Sequence, residues 1–139
     1  MKTCIAFAVF LALSVPAFSA NHLYDSGNDF LSECSALERA NDSNLTHLDM
    51  AKNVQCLSYV QGSIDGAFYE NARIGMTGKA KAPPLPYCLP EDVSGIQLAR
   101  VVLKYVRNNP EKAHMATVVL VFMALEDAFP CSNTNGRSR

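Results

Sequence analysis

The chain has 139 residues, a formal net charge of −1 and 18% charged side chains. That length holds one domain with a real core once a leader is removed, and not two. A near-neutral chain without a block of like charge lacks the electrostatic footprint of a nucleic-acid binder.

Lys2 precedes CIAFAVFLALSV (4–15), an apolar run of about a dozen residues, too short to span a membrane and of the length of a secretory h-region. Ala17 and Ser19 place cleavage before Ala20, with cleavage after Ala20 as the next choice. Residues 1–20 are therefore read as a signal peptide and 21–139 as a single exported helical domain. Cys4 leaves with the leader. Cys34, Cys56, Cys88 and Cys131 remain, an even count in an exported chain, and predict two disulfides. No CxxC pair occurs among them, which disfavours a metal site.

No stretch alternates strictly between turn residues, so the domain reads as helices joined by turns. The first helix is expected over about 27–40, capped by Ser26 and Asp29, with Phe30, Cys34 and Leu37 on one face. NDSN (41–44) ends it. The second is expected over about 47–70, with Thr46 and Asp49 as a capping box and Leu45 and Met50 as a staple. Met50, Val54, Leu57, Ile64 and Phe68 are expected to form its buried stripe. Ser58, Gly62 and Gly66 form a second stripe. Two glycines inside a helix cost about 1 kcal/mol each, which close approach of another backbone would offset.

The third helix follows YCLPEDV (87–93), with Ser94 as N-cap, Gln97 at N3, and Val93 and Leu98 as the staple. Ile96, Ala99, Leu103 and Val106 are expected inward, with Leu98, Val102 and Tyr105 widening that face. Gln97, Arg100, Lys104 and Arg107 form the wet stripe. The fourth helix is expected over about 110–128, with Asn109 as cap and Pro110 at N1. Apolar nearly all round, it should be the central helix. MATVVLVFMAL (115–125), closed by Glu126 and Asp127, is core rather than a membrane span.

So short a connection makes helices three and four an antiparallel hairpin. At 1.5 Å per residue helix four overhangs helix three by about 8 Å, and residues 88–94 can carry Cys88 across to Cys131. The same reasoning pairs Cys34 with Cys56 across the first turn. Four cysteines allow three connectivities, and this one is favoured. The expected fold is an all-α bundle of four to five helices, in two antiparallel hairpins, braced by two disulfides.

NARIGMTGKAKAPPLPY (71–87) does not fit a tight bundle. It reads as a long, proline-stiffened loop. Gly75, Met76, Thr77, Gly78, Lys79 and Lys81 are its candidate partner-binding residues; a solvated connector is the alternative. Catalytic signals are sparse. His22, His47 and His114 are scattered, no nucleophile elbow, phosphate loop or HExxH occurs, and bridged cysteines are not nucleophiles. Asp65 reads as an exposed or hydrogen-bonding acid. No cofactor or metal is expected, and the residues favour binding over catalysis.

Tyr59-x-x-Gly62-x-x-Asp65, Tyr87-Cys88-x-Pro90, Gln97-Leu98, Val101-Val102, Pro110, His114, Ala124-Leu125 and Ala128-Phe129-Pro130-Cys131 together resemble the Rap/Tai family of immunity proteins. The resemblance covers about 30–131. It implies a periplasmic, all-helical, dimeric protein that is not an enzyme. It implies a partner as well, a cognate peptidoglycan amidase toxin delivered by type VI secretion. In such proteins a protruding loop blocks the toxin's Cys-His cleft. Residues 71–87 are assigned that part by length and composition. Two other readings share the leader and the helices: a periplasmic acid-stress chaperone of the Hde type, and a helical carrier of small apolar ligands like the secreted odorant carriers.

Overall fold

The computed structural model describes residues 24–39, 43–78 and 81–131. The expected leader and His22 lie outside the described residues. Four α-helices are present: α1 (Gly27–Cys34), α2 (His47–Thr77), α3 (Gly95–Asn108) and α4 (Thr117–Ala128). A 3-10 turn, Ser35–Arg39, extends α1, and another, Pro110–Lys112, follows α3. Among the described residues there is no strand, only an isolated antiparallel bridge between Tyr87 and Pro130.

The helix starts follow from local chemistry. Ser26 and Asp29 form a reciprocal capping box at α1, and Thr46 and Asp49 form another at α2. Each box satisfies N–H groups that a helix start otherwise leaves open. Ser94 accepts the Gln97 N–H at 3.2 Å to start α3.

Two disulfides brace the bundle. Cys34–Cys56 joins α1 to α2, and Cys88–Cys131 joins the approach to α3 to the exit of α4. The second bridge forms by a different route from the one expected. At 1.5 Å per residue α3 is about 21 Å long and α4 about 18 Å, so α4 has no overhang. Instead the two chain segments pair directly: the Cys88 N–H donates to the Phe129 carbonyl at 2.9 Å, beside the Tyr87–Pro130 bridge.

Helix α1 ends earlier than periodicity suggested, at Cys34, and winds on as a 3-10 turn. The Leu37 carbonyl of that turn accepts from the Arg100 guanidinium of α3 at 3.2 Å, and Glu38 pairs with Arg107. Arg100 is thus half-buried rather than part of a wet stripe.

Helix α2 buries a face rotated from the expected one, which it shares at Ile64 and, half-buried, at Leu57. Asn53, Cys56, Val60 and Ile64 point into the core, while Met50, Val54 and Phe68 are 43%, 61% and 50% exposed. The disulfide accounts for this. Cys56 must face Cys34, and Val60 and Ile64 follow it at helical spacing. The Ser58, Gly62, Gly66 stripe therefore faces outward, and nothing lies within 4 Å of a Cβ built on Gly62 or Gly66.

Helix α4 begins at Thr117, not at Pro110. The intervening turn uses its carbonyls elsewhere: Met115 accepts the Gly27 N–H at 3.1 Å and Ala113 the Asn28 N–H at 3.0 Å. These are open donors of the α1 start, so docking of α1 interrupts what would have been one long helix. Nor is α4 central. Val118 and Val119 are 40% and 41% exposed, whereas α3 touches every other element and buries Leu98, Ala99, Val102, Leu103 and Val106. Ile96, expected inward, is 38% exposed beside α2.

Candidate partner-binding tip

The last buried residue of α2 is Ile64, and the helix runs on to Thr77. At 1.5 Å per residue that leaves about 20 Å of helix beyond the deep core. Over this length Ala67, Asn71 and Ile74 are half-buried and the rest is exposed. From residue 81 the chain returns without regular secondary structure. The Asn71 side-chain amide donates to the Pro83 carbonyl at 2.5 Å, and Ala82 and Leu85 are half-buried. The helix end and its return segment make one two-ply tip.

Residues 71–77, expected in a loop, are helical. Arg73 and Glu70 form a two-pronged pair at 2.8 and 2.6 Å, one turn apart, and the Thr77 hydroxyl donates to the Ile74 carbonyl at 2.7 Å. Gly75 is a tolerated helix glycine, costing about 1 kcal/mol. The chain reverses at Gly78, whose φ of 63° is the left-handed C-cap that glycine adopts without strain. So Gly75, Met76 and Thr77 form the last helical turn, Gly78 caps it, and Lys81 is exposed on the return. Lys79 lies outside the described residues.

Charge at the tip is largely paired. The Arg73 guanidinium holds the Glu70 carboxyl below its usual range, and Glu70 raises Arg73 in turn. Among the described residues the most exposed large apolar side chain is Met76, at 85%. The tip therefore offers a thioether knob, a hydroxyl and a lysine.

Its base is rigid. Tyr87 is 3% exposed and stacks on Phe122 of α4 with ring centres 6.1 Å apart. Burial pushes the Tyr87 phenol up from its ordinary pKa. Cys88 follows immediately and is bridged to Cys131. The anchors Asn71, Pro83 and Tyr87 were not singled out as a unit in the sequence. Only the proline-rich return hinted at them, since the Asn71–Pro83 bond joins residues separated by the reversal.

The remaining candidates do not converge. His47, at the start of α2, and His114, in the turn before α4, are both exposed. Asp65 is exposed and accepts from the Gln61 amide at 3.0 Å. Among the described residues no group of His, Cys, Asp and Glu is placed to hold a metal, and no helix is long and apolar enough to cross a membrane.

The family model for Rap1a immunity proteins matches residues 26–131. That span contains all four helices, both disulfides and the tip. No curated protein and no solved structure matches the chain.

Proposed function

Because the chain belongs to the Rap1a immunity protein family, we propose that it binds a peptidoglycan amidase toxin delivered by type VI secretion and blocks its cleft sterically, in the periplasm. The family match over 26–131 is the observation that carries this reading. Cleavage of the leader at residue 20 would deliver the domain to the compartment where such a toxin acts. The protein needs no chemistry of its own; it only has to occupy the groove and stay there.

The tip is the element we assign to the groove. Helix hydrogen bonding on one ply and prolines on the other leave little conformational freedom to lose on docking. Met76 supplies apolar area, and Gly78 and Lys81 lie just beyond it, where the chain turns back. The Cys88–Cys131 bridge and the buried Tyr87 fix the direction in which the tip points. The family resemblance also carries a homodimer.

The test is inhibition by purified protein of the amidase encoded beside its own gene. A tight complex and loss of peptidoglycan cleavage are expected; no binding to that amidase sinks the immunity reading. Met76→Glu should weaken inhibition tenfold or more. At so exposed a site it should change folding stability by no more than about 0.5 kcal/mol. Full inhibition by that variant would take the tip out of the mechanism and leave the immunity reading standing.

A further inference from the structure

Cys34, Cys56, Cys88 and Cys131 are all bridged, so the sulfurs of the domain left to a two-electron oxidant are thioethers. They differ in access. Met76 is 85% exposed and Met50 43%, while Met115, in the turn before α4, and Met123, on α4, are half-buried. The tip itself leaves Met76 open. A long helical side chain lies back over the turn that precedes it. For Met76 that turn holds Ala72, too small to cover a thioether, and Arg73, whose guanidinium is drawn back to Glu70 at 2.6 Å. Gly75 comes just before, and at Gly78 the chain turns back.

We propose that Met76 is a reversible oxidation site, and that its redox state sets how tightly the tip holds a partner. The oxidant is a peroxide. The thioether sulfur attacks one peroxide oxygen, and the O–O bond breaks as the S–O bond forms. The proton on the attacked oxygen passes to the departing hydroxide, so the products are a sulfoxide and water. Sulfur gives up two electrons and the peroxide takes them. A dithiol reductase reverses the step: the dithiol becomes a disulfide and the oxygen leaves as water.

The product suits a switch. A sulfoxide is polar and chiral where the thioether was apolar and flexible. At 85% exposure the fold does not register that change; a partner that buries the side chain does. The site of oxidation follows from access alone. Its effect on a partner rests on the part given to the tip in the reading above.

Purified protein, both disulfides intact, is treated with hydrogen peroxide and mapped by mass spectrometry. Sulfoxide should form at Met76 before Met50, and about tenfold or more ahead of Met115 and Met123, with helicity unchanged by circular dichroism. The oxidised protein should inhibit the amidase about tenfold or more less well, as when a buried interface anchor is lost. Methionine sulfoxide reductases acting on both epimers, with a dithiol, should restore it. Met50→Leu should lose inhibition on peroxide treatment as the unsubstituted chain does. Met76→Leu, compared with itself before and after treatment, should lose nothing further. Oxidation that falls first on Met50, or evenly on all four, overturns the site. A Met76 sulfoxide with full inhibition, or an equal peroxide loss in Met76→Leu, overturns the switch. Untreated protein that does not bind the amidase sinks the immunity reading instead, and the mapping still decides the site.

Discussion

A Cβ at Gly27 would sit 2.4 Å from Leu120 Cδ1, 2.8 Å from Val106 Cγ1 and 3.1 Å from the Ala113 carbonyl oxygen. Both side chains are fully buried and have nowhere to move. Gly27→Ala is expected to cost about 1–3 kcal/mol by overpacking, read from urea unfolding. Gly62→Ala should instead stabilise the fold by about 0.5–1 kcal/mol, since nothing lies within 4 Å of a Cβ there. The glycine repeat in α2 is visible in the sequence because of its spacing. Gly27, the glycine that α3, α4 and the turn before α4 do crowd, carries no local mark, since its neighbours are far away in the chain. Asp49 gives a pH prediction. Hydrogen bonds from the Thr46 hydroxyl and backbone, aided by Arg39, hold its carboxyl below the ordinary range. A depressed carboxyl stabilises the fold above its unfolded pKa, about 3.9, and that contribution is lost as pH falls through the folded value. Glu38 and Glu70 are lowered by Arg107 and Arg73 and act in the same sense. Stability should decline with acid below about pH 4, and Asp49→Asn should flatten part of that decline in unfolding curves taken across the range.

At the scale of elements, the two disulfides differ in burial. Cys34 and Cys56 have no exposed surface, while Cys88 is exposed and Cys131 half-buried. A phosphine reductant under native conditions should open Cys88–Cys131 first, as mass spectrometry of alkylated protein would register. Replacing both of these cysteines with serine removes a bridge of sequence separation 43, worth up to about 4 kcal/mol on the chain-entropy model. Thr46→Ala should cost about 1 kcal/mol through loss of the α2 cap. The caps of α1, α2 and α3 were legible because each involves residues three apart. The start of α4 was not. Asn109-Pro110 carries a sound start signal, but only a short 3-10 turn follows it, because the carbonyls of Ala113 and Met115 are taken by the N-terminus of α1.

For the molecule as a whole, α3 is the hub, and α2 runs on beyond the core that it shares with α3. Met76→Glu should keep its helicity by circular dichroism and lose inhibition. Opening Cys88–Cys131 alone should leave the helical signal nearly intact, yet weaken inhibition by freeing the base of the tip. Unchanged inhibition after selective reduction would show that the bridge does not aim the tip.

Periodicity, capping pairs and cysteine count are properties of the chain read locally, so the sequence by itself determined an all-helical chain with three capped starts, and an even number of cysteines after residue 20 pointed to two bridges. It also located the region of the tip, though not its form, because one helix glycine resembled a loop signal and the reversal belonged to Gly78. Which face of α2 is buried, where α4 begins, which helix is central and which glycine is crowded were decided only by the tertiary structure. Each depends on a contact between distant segments: the Cys34–Cys56 bond sets the rotation of α2, and the docking of α1 sets the start of α4. Local pattern does not encode such contacts, because the same amphipathic helix satisfies its own backbone in any rotation and only a partner selects one.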